Sequence, residues 1–213
     1  MKNGIHFERL TGPVPHTRAW ELQKARRALV EEGAAPDTVF LLEHAPVITL
    51  GRKADPAHVT ADPARLAELG IEVVATDRGG DVTYHGPGQL VAYPILNLIR
   101  RTQSVGWYLR TLEQVLIDLL DTYGLRGERL EGFTGVWVNG AKVAAIGVGI
   151  HQWVTFHGIA LNVNPDPRHW ACIIPCGIAD KPVTSLAALL RQAPPMNEVM
   201  DSFEDTFRRR FSS

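Results

Sequence analysis

The chain has 213 residues, 45% of them hydrophobic, which is enough to bury one sizeable core. Its 22 basic and 23 acidic side chains give a net charge of -1, so it lacks the basic excess that phosphate binding uses, and no apolar run approaches the ~20 residues of a membrane span. Nucleic acid and membrane are therefore not expected as partners.

The N-terminal MKNGIHFERL has no hydrophobic signal core, and the two cysteines, Cys172 and Cys176, are too close in sequence to staple distant parts of a fold. A cytoplasmic chain with reduced thiols, forming one domain over residues 1–213, is the expectation.

Residues Arg18 to Glu32 predict a helix, with Thr17 as a cap, Leu22, Ala25 and Leu29 on one stripe, and Gly33 as its stop. Two short strands follow, Thr38 to Leu42 and Val47 to Leu50; His44 between them reads as structural. Asp62 caps a short helix that opens on Pro63 and closes at Gly70. Ile71 to Thr76 and Leu90 to Leu98 both read as buried strands, although Pro94 cannot donate to a ladder and argues for an edge or a bulge.

Between those strands lies RGGDVTYHGPGQ, Arg78 to Gln89. Gly79 and Gly80 can take positive φ and carry no Cβ, so the backbone there can bend sharply and let a ligand approach its amides. Such a loop at the end of a sheet can hold polar groups over a pocket, though a Gly-rich loop alone is equally a plain turn.

A long amphipathic helix is predicted over Val105 to Tyr123, with Tyr108, Leu112, Val115, Leu116 and Leu119 inward and Gly124 as its stop. Asn139-Gly140 predicts a hairpin between Val136–Val138 and the run Val143 to Ile150. A second hairpin turns near His151 to Trp153 into Val154 to Val163. Gly147, Gly149 and Gly158 mark points of close approach by a ligand or another backbone. Leu186 to Arg191 and Met196 to Phe211 read as helices. Strands and helices in mixed order, with hairpins, predict an α+β fold on a mixed sheet.

Cys176 sits in IIPCGI, on a turn that can expose the sulfur and offer backbone N–H groups to a developing oxyanion. Cys172, beside Ile173 and Ile174, reads as a buried small hydrophobe. A nucleophilic thiol needs a base or cation beside it, and His85, His151, His157, His169 and Lys142 are all candidates by spacing. His169, Cys172 and Cys176 are also three conceivable metal ligands, without the paired spacing of a structural zinc site.

Taken together, RGGDVTYHGPGQLVAYPILNL from Arg78, GVWVNGAKVAAIGVGI from Gly135, FHGIALNV from Phe156, PCGI from Pro175 and VTSL from Val183 resemble the lipoyl(octanoyl) transferases, closely so the mycobacterial members. The resemblance implies a mixed central sheet flanked by helices with a smaller sheet, as in the biotin and lipoate protein ligase catalytic domains. It implies transfer of an octanoyl group from acyl carrier protein to a lysine of lipoyl domains, those of 2-oxoacid dehydrogenase complexes and the glycine cleavage H protein. By position, Cys176 becomes the acyl-thioester nucleophile and Lys142 its partner. The substrate contacts become Arg78, Gly79, Gly80, Asp81, Val82, Thr83, Tyr84 and His85, with Ala145, Ile146 and Gly147, and with Gly158, Ile159 and Ala160. Tyr84 and His85 are expected to close the pocket near the thioester. No metal, nucleotide or redox cofactor is implied.

Two other readings stand beside this one. An ATP-dependent lipoate or biotin-type ligase shares the fold but activates a free acid as an adenylate, for which an acyl-cysteine is unnecessary. A non-enzymatic lipid- or metal-binding module predicts an inert thiol.

Overall fold

The computed structural model describes residues 4–174 and 181–211. In chain order its elements are β1 (His6–Val14), α1 (His16–Glu31), β2 (Thr38–His44), β3 (Val47–Leu50), α2 (Pro63–Glu68), β4 (Glu72–Ala75), β5 (Val82–His85), β6 (Gln89–Ile95), α3 (Val105–Thr122), β7 (Val136–Val138), β8 (Ala141–His151), β9 (Val154–Asn162), α4 (Pro167–Trp170), α5 (Leu186–Leu190) and α6 (Met196–Phe211). A six-stranded sheet has the order β1-β2-β6-β9-β8-β7, and a three-stranded sheet the order β4-β3-β5. β1 runs parallel to β2 and β4 parallel to β3, while the other pairings are antiparallel. This is the α+β architecture with a mixed sheet and a smaller sheet that the sequence predicts. None of the described helices is long and apolar enough to cross a membrane.

Both faces of the large sheet are covered. Val39 and Leu41 of β2 and Leu90 and Ala92 of β6 pack with Leu112, Leu116 and Leu119 of α3 and Phe203 and Phe207 of α6. Their strand neighbours Phe40, Leu42, Val91 and Tyr93 point the other way, toward Ala19 and Val30 of α1. Central strands buried on both faces read as continuous apolar runs for this reason.

The local signals at the turns are realised. Asp62 accepts from the Arg65 N–H with Pro63 opening α2, and Gly70 ends it at φ 65°. Asn139 and Gly140 both have positive φ, as the tight hairpin between β7 and β8 requires. The second hairpin turns on Gln152 and Trp153, also both at positive φ, without a glycine.

Three expectations are corrected. In α1 the inward residues are His16, Ala19, Gln23 and Val30; Leu29 is exposed and Thr17 lies inside the helix, which starts after Pro15. The stripe fails because two inward positions are polar, so hydrophobicity does not mark them. The segment after Ile71 is not a buried strand but the open edge of the small sheet, with Val73 exposed. Pro94 is on neither an edge nor a bulge. Its strand is central, and the β6–β9 ladder lapses beside it after Ala92↔Ile159, resuming in the same register at Asn97↔Val154. The gap is filled because Gly158 carries no Cβ, which would press into the Pro94 ring at 2.7 Å.

Candidate active site

The loop joining β4 to β5 is held down by its own arginine. Arg78 is buried, and its guanidinium donates from Nη2 to the carbonyls of Thr49 (2.6 Å) and Asp81 (2.7 Å), from Nε to Thr49 Oγ1 (3.1 Å) and from Nη1 to the Gly79 carbonyl (3.1 Å). The Gly79 N–H donates to the Val148 carbonyl at 3.0 Å, fastening the loop across β8. Gly147 is a glycine because a Cβ there would stand 3.0 Å from the Gly79 oxygen. Of the two glycines able to take positive φ, Gly80 does so, at 92°. Asp81 is taken up by the Asp55 N–H (3.0 Å) and His58 Nδ1 (2.6 Å).

Beneath this loop, between it and the β8–β9 pair, lies a cavity of about 60 Å³. Every predicted substrate-binding residue lines it except Val82 and Tyr84. The reason is strand alternation: Thr83 and His85 face the cavity, so Val82 and Tyr84 face the opposite side. There they pack with Ile48, Leu66 and Cys172, and the Tyr84 hydroxyl is hydrogen-bonded to His169 Nδ1 at 2.6 Å. The expectation that Tyr84 closes the pocket is corrected accordingly; His85 does line it.

Lys142 enters from β8 and lines this cavity together with a wider one of about 340 Å³ and a small one bounded by Gln89, Asn162, Trp170 and Val183. Its Nζ is 5.1 Å from the centre of the Trp137 ring. Gly135 leaves room for the stem, since a Cβ there would lie 3.1 Å from Lys142 Cε. The Lys142 backbone is bound by the strand-like stretch that follows the PCGI motif: its N–H donates to the Pro182 carbonyl (2.8 Å) and its carbonyl accepts from Thr184 (2.9 Å). On the other side of that motif, the Ile174 N–H donates to the His58 carbonyl at 2.8 Å. Cys176 itself lies outside the described residues.

The chain matches the model of the lipoyl protein ligase A/B catalytic domain over residues 15–208. It is 53% identical to an octanoyltransferase from Chloroflexus aggregans over 193 residues, 89% of this chain and 87% of the relative. The chain belongs to the lipoyl protein ligase A/B catalytic domain family, among its octanoyltransferases. Its fold is also that of a bipartite lipoate protein ligase from Thermoplasma acidophilum, with a TM-score of 0.73 at 14% identity covering 97% of this chain and 84% of that one. A biotin protein ligase from Aquifex aeolicus, with biotin and ATP, has a TM-score of 0.56 at 15% identity over 96% and 69% of the two chains.

In this family member the candidate bases separate cleanly. His151 pairs with Glu31 at the far end of β8, and His169 is bonded to Tyr84, so neither reaches the cavity. Cys172 is buried, with Sγ 3.6 Å from the Arg168 carbonyl, and burial pushes its thiol up. Among the described residues no three His, Cys, Asp or Glu side chains are grouped as a metal site. His85 donates from Nδ1 to Gln89 Oε1 (3.1 Å), because the Gln89 amide nitrogen already donates to the Tyr84 carbonyl and to Asn162 Oδ1. That leaves His85 Nε2 as an acceptor.

Burial, then the neighbouring His44 and Arg78, hold His85 well below the ordinary imidazole value. The same network continues from Asn162 Nδ2 to the Thr184 carbonyl at 2.9 Å. Gln89 and Asn162 therefore tie the loop motif to the stretch after Cys176. Sequence reasoning missed them, together with His16, Tyr93 and Thr134 of the cavity lining. Only Gln89 carried a signal, as the polar end of an otherwise apolar strand.

Proposed function

We propose that this chain moves an octanoyl group from octanoyl-acyl carrier protein, through a thioester on Cys176, to the lysine of a lipoyl domain. The acceptors on this reading are the lipoyl domains of 2-oxoacid dehydrogenase complexes and the glycine cleavage H protein, and the chain works as one catalytic domain in the cytoplasm. The observation that carries it is the placement of Lys142, at the meeting of three cavities and strapped through its backbone to residues 182–184, which follow Cys176 closely in sequence.

The chemistry balances on the chain's own groups. The Lys142 amine takes the Cys176 thiol proton; the thiolate attacks the donor thioester carbonyl, and the carrier thiolate leaves and takes the proton from the Lys142 ammonium. The acceptor lysine then attacks the acyl-cysteine, Lys142 takes its proton, and the Cys176 thiolate departs and is reprotonated. The donor thioester supplies the energy, so no nucleotide enters the balance. The small residues Ala145, Gly147, Gly158 and Ala160 leave a channel for the chain, and at ~0.8 kcal/mol per buried methylene its length selects among acyl groups.

Incubation with octanoyl-acyl carrier protein, followed by intact-protein mass spectrometry and peptide mapping, tests this directly. An octanoyl adduct on the Cys176 peptide, discharged by an added lipoyl domain, is the expected result. Modification of the acceptor from free octanoate and ATP, with no adduct on the enzyme, would instead make the protein a ligase.

A further inference from the structure

The cavity beneath the loop has a second end. Away from Lys142 it stops at His16, Tyr93 and His157. Another cavity, of about 310 Å³, lies beyond and is bounded by Trp20, Val74 and Asp77 as well as by His16 and His157. The two imidazoles line both spaces and divide one from the other.

His157 is held as a divider must be. Its φ of 54° is a left-handed conformation that a residue with a side chain keeps only when its surroundings enforce it. Its N–H donates to Gln23 Oε1 at 2.7 Å, its ring stacks on Trp20 at 4.9 Å and 7°, and its Nε2 bonds Asp77 Oδ1 at 2.7 Å. The inward-facing Gln23 of α1 thus has its use here. Along the strands, Ala145 faces Ala160 and Val148 faces His157. Those three steps span roughly 10 Å at ~3.3 Å per residue, the reach of an extended chain of about eight carbons.

Resting on the octanoyl-transfer reading above, we propose that His157, braced by Trp20 and Asp77, is the stop that sets the length of the acyl chain. Burial pushes its imidazole down to about 4 and so keeps it neutral at ordinary pH, and the ring offers an uncharged face to a methyl end. The space behind it is already present, and removing the ring joins the two cavities without rebuilding the sheet.

The test uses the full chain and its acyl-enzyme. His157→Gly suits the positive φ and deletes the ring, and Trp20→Ala removes the brace while leaving His157 in place. Single-turnover loading from octanoyl-, decanoyl- and dodecanoyl-acyl carrier protein is followed by intact mass, and the dodecanoyl-to-octanoyl rate ratio is compared with wild type. The ratio should rise about tenfold or more in His157→Gly and in the same direction in Trp20→Ala. A ratio unchanged in His157→Gly overturns the proposal; where that variant does not fold by circular dichroism, an unchanged ratio in Trp20→Ala does so. A wild type that loads from no donor overturns the transfer reading and the stop with it, an outcome distinct from a wild type that loads and variants that do not change.

Discussion

The histidines around the cavity make a prediction about acid. Burial depresses both His44 and His157 to about 4, against an ordinary value of 6.5. Only the Val14 carbonyl, which accepts from His44, and Asp77, which pairs with His157, oppose this, and they do so partly; His16 beside His44, and His16 and Arg78 near His157, add to the depression. A folded-state value below the unfolded one means that the unfolded chain binds the extra protons. Stability is therefore complete above about pH 6.5 and is lost as pH falls from there toward 4.

Between pH 7.5 and 5.0 each group should cost about 2 kcal/mol, and the pair about 4 kcal/mol, from 1.36 kcal/mol per unit of pKa. That is a large share of the 5–15 kcal/mol typical of a domain. Urea denaturation at the two pH values, with the slope held constant, measures it. His44→Gln keeps a donor and an acceptor, and His157→Asn tolerates positive φ; each should reduce the pH dependence by about 2 kcal/mol whatever its cost at pH 7.5, the remainder lying with His85, His16 and His169. Equal pH dependence in wild type and both variants would refute the assignment of the effect to these two rings.

Three further outcomes follow. Cys176→Ala should abolish acyl-enzyme formation and transfer, whereas Cys172→Ala should fold, with about 1–2 kcal/mol less stability, and keep most activity; equal losses in two folded variants would remove Cys176 from its role. Lys142→Arg offers no amine that can deprotonate, but its charge still stabilises a Cys176 thiolate formed by proton loss to solvent, so it should load from octanoyl carrier, more slowly than wild type, yet discharge to the acceptor about 10²–10⁴-fold more slowly, while Lys142→Ala impairs both halves; wild-type single-turnover rates in both would leave His85 as the base to test. Gly88→Ala should cost about 3 kcal/mol or more in urea denaturation, because Gly88 sits at φ 85° and a Cβ would run into the Asn164 carbonyl; a loss under about 1 kcal/mol would contradict that contact.

The parts of the fold that could be read from residues are those fixed by short-range chemistry. The Asp62-Pro63 cap, the Asn139-Gly140 hairpin and the inward face of α3 depend on neighbours within a turn of chain, and all stand as expected. The depth of β4 could not be read, since an edge strand and a central strand can share β-branched composition, and only the pairing partner decides. Nor could the side taken by Tyr84. Motif residues are contiguous in sequence, but a strand sends alternate side chains to opposite faces, so Val82 and Tyr84 pack against Ile48 while Thr83 and His85 line the cavity.

The hydrophobic pattern fails most informatively in α1. His16 and Gln23 lie on its inward stripe although both are polar, and each is committed at the cavity: His16 to its wall, Gln23 to the N–H of His157. A residue at positive φ inside a strand, a polar residue on a buried helix face and a glycine opposite a proline each cost stability locally. In this chain they occur together, at Gln23, His157 and Gly158, on one side of one cavity. Local choices that conflict with the general rules of packing are kept where a site needs them. The breaks in pattern along this sequence therefore point to the same place as its glycine-rich motif, from the α1 end of the same cavity, and they do so without reference to any relative.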